Sequence, residues 1–564
     1  MKKVFGRILI VLPAIALQVM WYMVLLGFLN DLLNEHLGDF LNAVFSILAV
    51  VFVTGIVAKR DESSYKLLWV MIIVAMPIFG AMLYFMIGNK NTGKRLKRKL
   101  NQSSLSLTKI FPIDNEANIT DIKTQDLRIG QTLEHLTKIT GFSVFENDTS
   151  RYYAFGEEMF LDMCEDLKKA KKHIYVEYFI IQPGKFWNTL TDIMAQKVTE
   201  GVEVKVMYDD LGSIGTYSLA NIAELSQKGI KCLPFNPFLF LKSQLNNRDH
   251  RKIMVIDGEI AYSGGVNLAD EYINEIQKFG RWKDIGFRIT GEAVSSYTYM
   301  FAEFWNAFSN EKIETERNLE YKTKEISRKE NVAQSMCKEA KIVSVNTSGK
   351  TTISHMSDNV ETILVSGWNE VANREKTLSK SQNNGYLLPY YDSPMYEEHI
   401  SNVLFTEMLS VATDYVWFYT PYLILGDALY DAFIRAARRG VDVRIIMPGI
   451  PDKKIVYRIS RSYYKDLLKA GVKIFEYTPG FLHAKAFIAD DKIAGIGTVN
   501  LDYRSLFLHF ECNCIFYKTD IIRELKKDYL NTEAESVERT LEDINNGILN
   551  NIVNNMLRVI APLL

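Results

Sequence analysis

The sequence predicts an α/β protein of two pseudo-symmetric halves, carried behind N-terminal transmembrane helices. Three observations lead there. A strand–helix–strand pattern occurs twice in the same order, the motif His-x-Lys-x4-Asp closes each copy, and long uncharged apolar stretches precede both. A repeat of this kind marks an internal duplication in which each copy supplies one αβ unit.

At 564 residues the chain exceeds one compact core, so at least two domains are expected. Its 66 Lys and Arg against 67 Asp and Glu leave the total charge uninformative, and partners have to be read from local clusters. The five cysteines, Cys164, Cys232, Cys337, Cys512 and Cys514, are scattered; this argues against a disulfide framework and a zinc site, and for a reducing compartment. Cys512 and Cys514 would share one strand face but lack the further ligands a metal needs, so they read as buried thiols.

The apolar stretches are 8–29, 40–58 and 67–87. The first two are long enough to span a bilayer. No small-residue cleavage site follows the first, which therefore reads as an anchor rather than a signal peptide. Lys2, Lys3 and Arg7 before it, with Asp31, Glu35 and Asp39 after it, put the N-terminus in the cytoplasm, and Lys59 and Arg60 mark the return. A third full crossing would export the body of the protein, yet Lys90, Lys94, Arg95, Lys97, Arg98 and Lys99 follow it. Pro77 and Gly80 interrupt that segment, as suits a re-entrant hairpin. The expected location is the cell membrane, multi-pass, with the catalytic halves on the cytoplasmic face. The basic run would stop transfer and also grip anionic headgroups.

Beyond a polar linker, HIYVEYFII from His173 is a buried-strand pattern, followed by a helix-like stretch and by GVEVKVMYDD from Gly201. YVWFYTPYLI from Tyr415, a helix through AFIRAARRG and GVDVRIIMPG from Gly440 repeat that order. In each half another helix leads to a strand, KGIKCLPF from Lys228 or AGVKIFEY from Ala470, before the motif arrives. The expected layout is a membrane anchor with its basic run over 1–100, a linker over 101–130 and a first half over 131–315. A charged linker and variable segment would cover 316–385, and a second half 386–564.

Chance explains one His-x-Lys-x4-Asp in such a chain, but not two at equivalent places in a repeat. His250 and Lys252, two apart on an expected strand, point to one face, as do His483 and Lys485, so an imidazole and an ammonium meet one small anion. That pairing suits phosphate. Asp257 and Asp490 fall an odd number of residues further on, at a turn, and their expected task is to brace it. Ser263, Gly264, Gly265 and Asn267 follow the first motif, and Gly497, Thr498 and Asn500 the second; small residues permit close approach, and hydroxyls and carboxamides can donate to phosphate oxygens. A lone histidine is usually a satisfied core imidazole. Here each comes with a lysine and a carboxylate downstream, Asp284 in GRWKDIGF and Glu511 in HFECN, able to fix its tautomer. Glu177, Asp209 and Asp210 at strand ends read as caps at least as readily as site residues. Two histidines on one phosphate give a mechanism with no metal and no cofactor: one attacks phosphorus while the other handles the alcohol proton, and two lysines hold the oxygens.

These motifs resemble the HKD signature of the phospholipase D superfamily. With YDDLGS from Tyr208, RWKD from Arg281, TPYLI from Thr420, MPGIPDKK from Met447 and EYTPGFLHAKAFIADDK running to GTVNLDYRS, the chain resembles the bacterial cardiolipin synthases over nearly all its length. The resemblance implies a duplicated phospholipase D-like αβ(βα) sandwich with one active site between the halves. It implies conversion of two phosphatidylglycerols to cardiolipin and glycerol, with catalytic His250, Lys252, Asp257, His483, Lys485 and Asp490. It also implies that the first-half histidine attacks, which leaves acid–base work to His483. Expected partners are phosphatidylglycerol and anionic membrane lipids, not nucleic acid. The apolar FNPFLFL from Phe235 suits a water-poor lipid pocket and equally suits a core, while Asn346 to Asn384 fits no pattern of the family. Rivals are a nuclease, which salt-dependent DNA binding would reveal, another phosphatidyl transfer, for example to ethanolamine or serine, and a lipid-binding protein with a silent site. Intact motifs in both halves oppose the last.

Overall fold

The computed structural model describes residues 35–59, 61–88, 94–107, 116–237, 246–313, 384–544 and 547–563. The apolar stretch 8–29, residues 238–241 at the end of FNPFLFL, and most of the expected linker 316–385 lie outside them.

Among the described residues seventeen strands carry the fold. In the first half they are β1 (Phe145–Glu146), β2 (Ser150–Tyr153), β3 (His173–Tyr178), β4 (Glu203–Asp209), β5 (Lys231–Phe235), β6 (Arg248–Asp249), β7 (Lys252–Ile256), β8 (Ile260–Gly264) and β9 (Gly286–Thr290). The second half adds β10 (Tyr386–Asp392), β11 (Tyr415–Tyr419), β12 (Asp442–Pro448), β13 (Lys473–Tyr477), β14 (Ala486–Ala489), β15 (Ile493–Gly497), β16 (His509–Tyr517) and β17 (Ser536–Arg539). One seven-stranded sheet runs β2-β9-β8-β7-β3-β4-β5, and a ten-stranded sheet runs β1-β10-β16-β15-β14-β11-β12-β13-β17 with β6 beside β16. The order β9-β8-β7-β3-β4-β5 is repeated as β16-β15-β14-β11-β12-β13, so the duplication read from the sequence is the architecture.

Each repeat has a parallel trio continued by antiparallel strands: β3 runs parallel to β4 and antiparallel to β7, as β11 does to β12 and β14. Every residue of YVWFY in β11 is buried, and so is all of β3 after His173, as expected of strands covered on both faces. The sheets meet across β8–β9 and β15–β16, where Phe287 sets its ring edge on Phe516 at 5.2 Å. The halves also exchange backbone. Two strands of the first half, β1 and β6, pair with β10 and β16 of the second, so the sequence boundary near 315 is not a boundary in space.

The expected linker over 101–130 is largely helical: Lys94–Leu107 carries the basic run, and Glu116–Gln125 and Leu127–Thr140 follow. Asp126 caps the last of these on Ile129 N, and Gly141, at φ 73°, ends it in the left-handed conformation that glycine adopts freely.

The stretch 40–58 falls in helix Glu35–Val57. Among the described residues no helix is long and apolar enough to cross a membrane, so the expected crossing by this stretch is not seen. The third stretch is broken. Helix Ser63–Ala75 stops at Met76, whose φ of −141° leaves the helical region ahead of Pro77, and Pro77–Leu83 and a π turn Tyr84–Gly88 run back along it. Tyr65 donates to the Gly88 carbonyl at 2.8 Å, and Trp69 packs edge-on against Tyr84 at 5.3 Å. At the crossing a Cβ on Gly80 would lie 2.7 Å from the Ile72 carbonyl oxygen, so only glycine fits. The segment therefore begins and ends on one side as a helical hairpin. Its base stacks on the second half, Tyr65 over Tyr503 at 5.3 Å, while Leu67, Met71 and Val74 stay exposed along one stripe.

Candidate active site

His250 and His483 sit on extended lead-ins just before β7 and β14 rather than within the strands. Both lead-ins are strapped to the opposite half: His250 N donates to the Phe510 carbonyl at 2.8 Å, and His483 N to the Lys283 carbonyl at 2.7 Å. Because Phe510 precedes Glu511 and Lys283 precedes Asp284, the same strap brings each carboxylate to the other half's histidine. Nδ1 of His250 lies 2.8 and 2.9 Å from the Glu511 oxygens, and Nδ1 of His483 lies 2.6 Å from Oδ2 of Asp284. The carboxylate downstream of each histidine in sequence thus serves its counterpart, an exchange that chain order does not show. With a hydrogen on Nδ1 facing the carboxylate, each imidazole keeps the lone pair of Nε2 for chemistry.

Both carboxylates are themselves held. Ser505 and Thr498 donate to Glu511, and the Ile285 amide donates to Oδ1 of Asp284 at 2.9 Å. Gly265 stands where Thr498 stands in the other half, and a Cβ there would collide with Oδ1 of Asp284. That glycine makes room for a carboxylate rather than for phosphate.

The two lysines and the two carboxylates are buried together, and burial is the main perturbation of each. It pushes Glu511 up to about 8 and Asp284 up to about 7, against the pull of Lys252 and Lys485 respectively. The same burial brings Lys252 down to about 8 and Lys485 down to about 7. Both histidines are held well below their ordinary value by burial and then by the lysines, so the imidazoles rest neutral. Nζ of Lys252 lies 2.5 Å from the His250 carbonyl; Nζ of Lys485 bonds the His483 carbonyl and lies 2.6 Å from Nδ1 of the same ring. That nitrogen cannot both donate to Asp284 and accept from Lys485, and the buried carboxylate is the stronger partner. Aromatic rings wall the imidazoles. Phe179 lies 4.8 Å from His250, and Tyr272, Trp282 and Phe481 lie 5.4 to 5.7 Å from His483.

The motif aspartates lie at the far end of the strand from the histidines. Asp257, at φ 55°, accepts from the amides of Lys171, Lys172 and His173 at 2.7 to 2.9 Å; Asp490, at φ 50°, accepts from those of Thr413, Asp414 and Tyr415 at 2.8 to 2.9 Å. Each pins the turn before the first strand of its half.

The expected phosphate donors have protein partners. Ser263 donates to the Lys252 carbonyl at 2.7 Å, Asn267 accepts from Ile180 N and donates to the Tyr272 hydroxyl, and Thr498 is on Glu511. Asn500 donates to Asp502 at 2.9 Å, and its Oδ1 is buried without a hydrogen-bond partner. These groups frame the lysines and carboxylates instead of lining open space.

Glu177 and Asp209, read as caps or site acids, hold arginines that flank His250. Arg251 pairs with Glu177 and with Asp249 at 2.9 Å, its guanidinium 3.6 Å over the Phe304 ring, and Arg248 pairs with Asp209 at 2.9 Å. Asp210 continues past β4 with its amide on the Phe235 carbonyl. The signal for these arginines was present in NRDHRK: charges on both sides of a buried histidine need buried partners, and the strand-end acids were the candidates. Ser505 carried no such signal, since only the fold brings it to Glu511. Cys512 and Cys514 are buried in β16, and among the described residues no group of His, Cys, Asp and Glu is placed to hold a metal ion.

Two His–Lys pairs, each histidine held by the other half's carboxylate, define the phospholipase D-like class of phosphodiester enzymes. The family description "Cardiolipin synthase, PLD-like domain" matches residues 163–305 and 405–532, and "Phospholipase_D-nuclease N-terminal" matches 44–89. An uncharacterized protein of Streptococcus mutans is 37% identical, over 88% of this chain and 96% of its own. Cardiolipin synthase 2 of Bacillus anthracis is 32% identical over 92% of this chain and 91% of its own. A phosphatidylserine synthase of Haemophilus influenzae, 13% identical, shares the fold at a TM-score of 0.52 over 77% of this chain and all of that one. The chain belongs to the cardiolipin synthase family of phospholipase D-like phosphatidyltransferases.

Proposed function

We propose that this protein condenses two phosphatidylglycerol molecules into cardiolipin and glycerol through a phosphohistidine intermediate. The observation that carries the reading is the pair of exchanged contacts, His250 on Glu511 and His483 on Asp284, which leaves two Nε2 atoms to share one phosphate.

In the first step Nε2 of His250 attacks phosphorus, the bond to the glycerol oxygen breaks, and His483 supplies the proton that oxygen needs. In the second, His483 takes the proton from the primary hydroxyl of the acceptor phosphatidylglycerol, which attacks phosphorus and displaces His250. Lys252 and Lys485 neutralise the non-bridging oxygens as charge shifts toward them. Neutral resting imidazoles suit the attack, and Glu511 stabilises the positive charge that His250 acquires. The initial proton on His483 is favoured once an anionic phosphate replaces water beside the lysines. Asp257 and Asp490 act at a distance by fixing the turns, and Ser263, Asn267, Thr498 and Asn500 hold the frame. The aromatic walls favour a lipid hydroxyl over water by keeping the site dry.

The chain is read as a multi-pass protein of the cell membrane with both halves on the cytoplasmic face. The N-terminal apolar stretches, the same-side hairpin and the basic helix Lys94–Leu107 support that placement. The test is purified full-length protein given labelled phosphatidylglycerol, with lipid products and glycerol resolved. Cardiolipin and glycerol should appear together and vanish in His250→Ala and His483→Ala. Label trapped on protein by His483→Ala but not by His250→Ala supports the order of roles; absence of cardiolipin from the unaltered protein refutes the reading.

A further inference from the structure

The hairpin's apolar stripe does not end at the hairpin. The C-terminal helix Gly547–Ile560 packs against helix Ser63–Ala75 on one side and against helix Lys454–Ser462 on the other. It is fixed to the body by Arg558, whose guanidinium lies 4.2 Å over the Tyr463 ring, and by Asn554, which accepts from Arg458 at 2.9 Å. On its outer side Val553, Met556 and Ile560 are exposed, Met556 to 69%. Their spacing of three and four residues puts them on one face. Ile455, 61% exposed, and Ile450 continue the apolar surface past it, and the cations Lys453, Lys454 and Arg458 stand exposed around them.

This surface runs to the active-site mouth. Ile450 N bonds the Gly480 carbonyl three residues before His483, and Gly480 bridges to Gly280 of the first half. Lys453 lies 5.1 Å over the ring of Tyr422, whose hydroxyl is on Asp452 at 2.7 Å.

We propose that helices Gly547–Ile560 and Lys454–Ser462 lie in the headgroup–acyl boundary of an anionic bilayer, extending the hairpin's membrane face to the mouth beside His483. An amphipathic helix in that plane buries its apolar face about 5–10 Å deep. The flanking cations match anionic headgroups. The arrangement brings the reacting phosphate to headgroup depth, so that acyl chains need not be drawn into water. It goes beyond the reading of the reaction and is tested without activity.

The experiment uses full-length protein with Cys232→Ser and Cys337→Ser, reconstituted in phosphatidylglycerol-containing vesicles and labelled with bimane at Met556→Cys. The expected result is quenching by lipids bearing a nitroxide near the headgroup end of the chain, with protection from aqueous iodide. Bimane at Glu259→Cys, beside the Asp257 turn, stays iodide-accessible. As a second measure, Met556→Glu should lower cardiolipin formation in vesicles about tenfold, as loss of one buried apolar side chain from an interface predicts, and leave turnover of dispersed short-chain phosphatidylglycerol unchanged. Iodide access without lipid quenching at 556 overturns the proposal. So does protection from both quenchers that depends on protein density, which would mark a second copy of the chain on this face.

Discussion

Substituting Glu511→Gln tests the exchange of carboxylates between the halves. Glu511 holds Nδ1 of His250 through both oxygens, 2.8 and 2.9 Å away, and accepts from Ser505 and Thr498. An amide in its place either turns a second donor toward Nδ1–H or forces the hydrogen onto Nε2, which removes the attacking lone pair. Loss of tautomer and of charge compensation together costs about 3 to 5 kcal/mol, a fall of roughly 10²- to 10⁴-fold in the step that His250 performs. Asp284→Asn should do comparable damage to His483 alone. The two are separated by a substrate whose departing group needs no proton, phosphatidyl-p-nitrophenol, assayed by the nitrophenolate burst in a stopped-flow instrument. On this substrate Asp284→Asn should keep the burst within about tenfold of the unaltered protein, because general acid help is no longer required, and Glu511→Gln should still lose it. With natural phosphatidylglycerol both variants should fail. A burst retained by Glu511→Gln and lost by Asp284→Asn would refute the assignment, either of the carboxylates to their histidines or of attack to His250.

Other outcomes follow from the same geometry. Activity should be bell-shaped in kcat/KM, rising with pH as Asp284, near 7, and Glu511, near 8, ionise and falling as Lys485, near 7, and Lys252, near 8, lose their protons. Lys485→Arg, which cannot lose its charge in this range, should move the falling limb to higher pH; an unmoved limb would show that Lys485 does not set it. Gly265→Ala should displace Asp284 and cut cardiolipin formation about 10²-fold or more, while the folded protein melts within a few degrees of the unaltered one. A near-normal rate would mean that the carboxylate has room to move. Burial works against ionisation of Asp490, yet the amides of Thr413, Tyr415 and Asp414 hold it below the ordinary carboxylate range. A depressed folded value contributes stability above the unfolded value of about 4, lost as pH falls through the folded one. Asp490→Asn should therefore flatten the melting-temperature profile on the acid side, and an unchanged slope would rule Asp490 out as its source.

The duplication was legible because it is written in local signals: apolar strand runs, glycine-bounded helices and a motif that chance cannot supply twice. The broken third stretch was legible too, since Pro77 and Gly80 act on their own backbone and on the one helix beside them. What could not be read was partnership across halves. Sequence order makes Asp284 the natural companion of His250 and Glu511 of His483; the opposite holds because Phe510 and Lys283, one residue earlier in each strand, bind the facing histidine's amide. The same blindness covers Ser263, Thr498 and Asn267, whose residue types suit phosphate but whose positions face Lys252, Glu511 and Tyr272. In each case the deciding contact joins residues far apart in the chain, and no local pattern encodes it.

This exchange also gives a physical reason why neither half could act alone. A single half would keep its histidine and lysine but lose the carboxylate that sets the tautomer and the backbone strap that places the imidazole. Its lysine would remain, so it could still bind phosphate. The chemistry therefore depends on the interface between the halves, and substitutions that loosen it should lower turnover before they lower stability. The shared strand pairings, β6 on β16 and Gly280 on Gly480, are where such coupling is strongest, because each lies within a few residues of the histidine it serves.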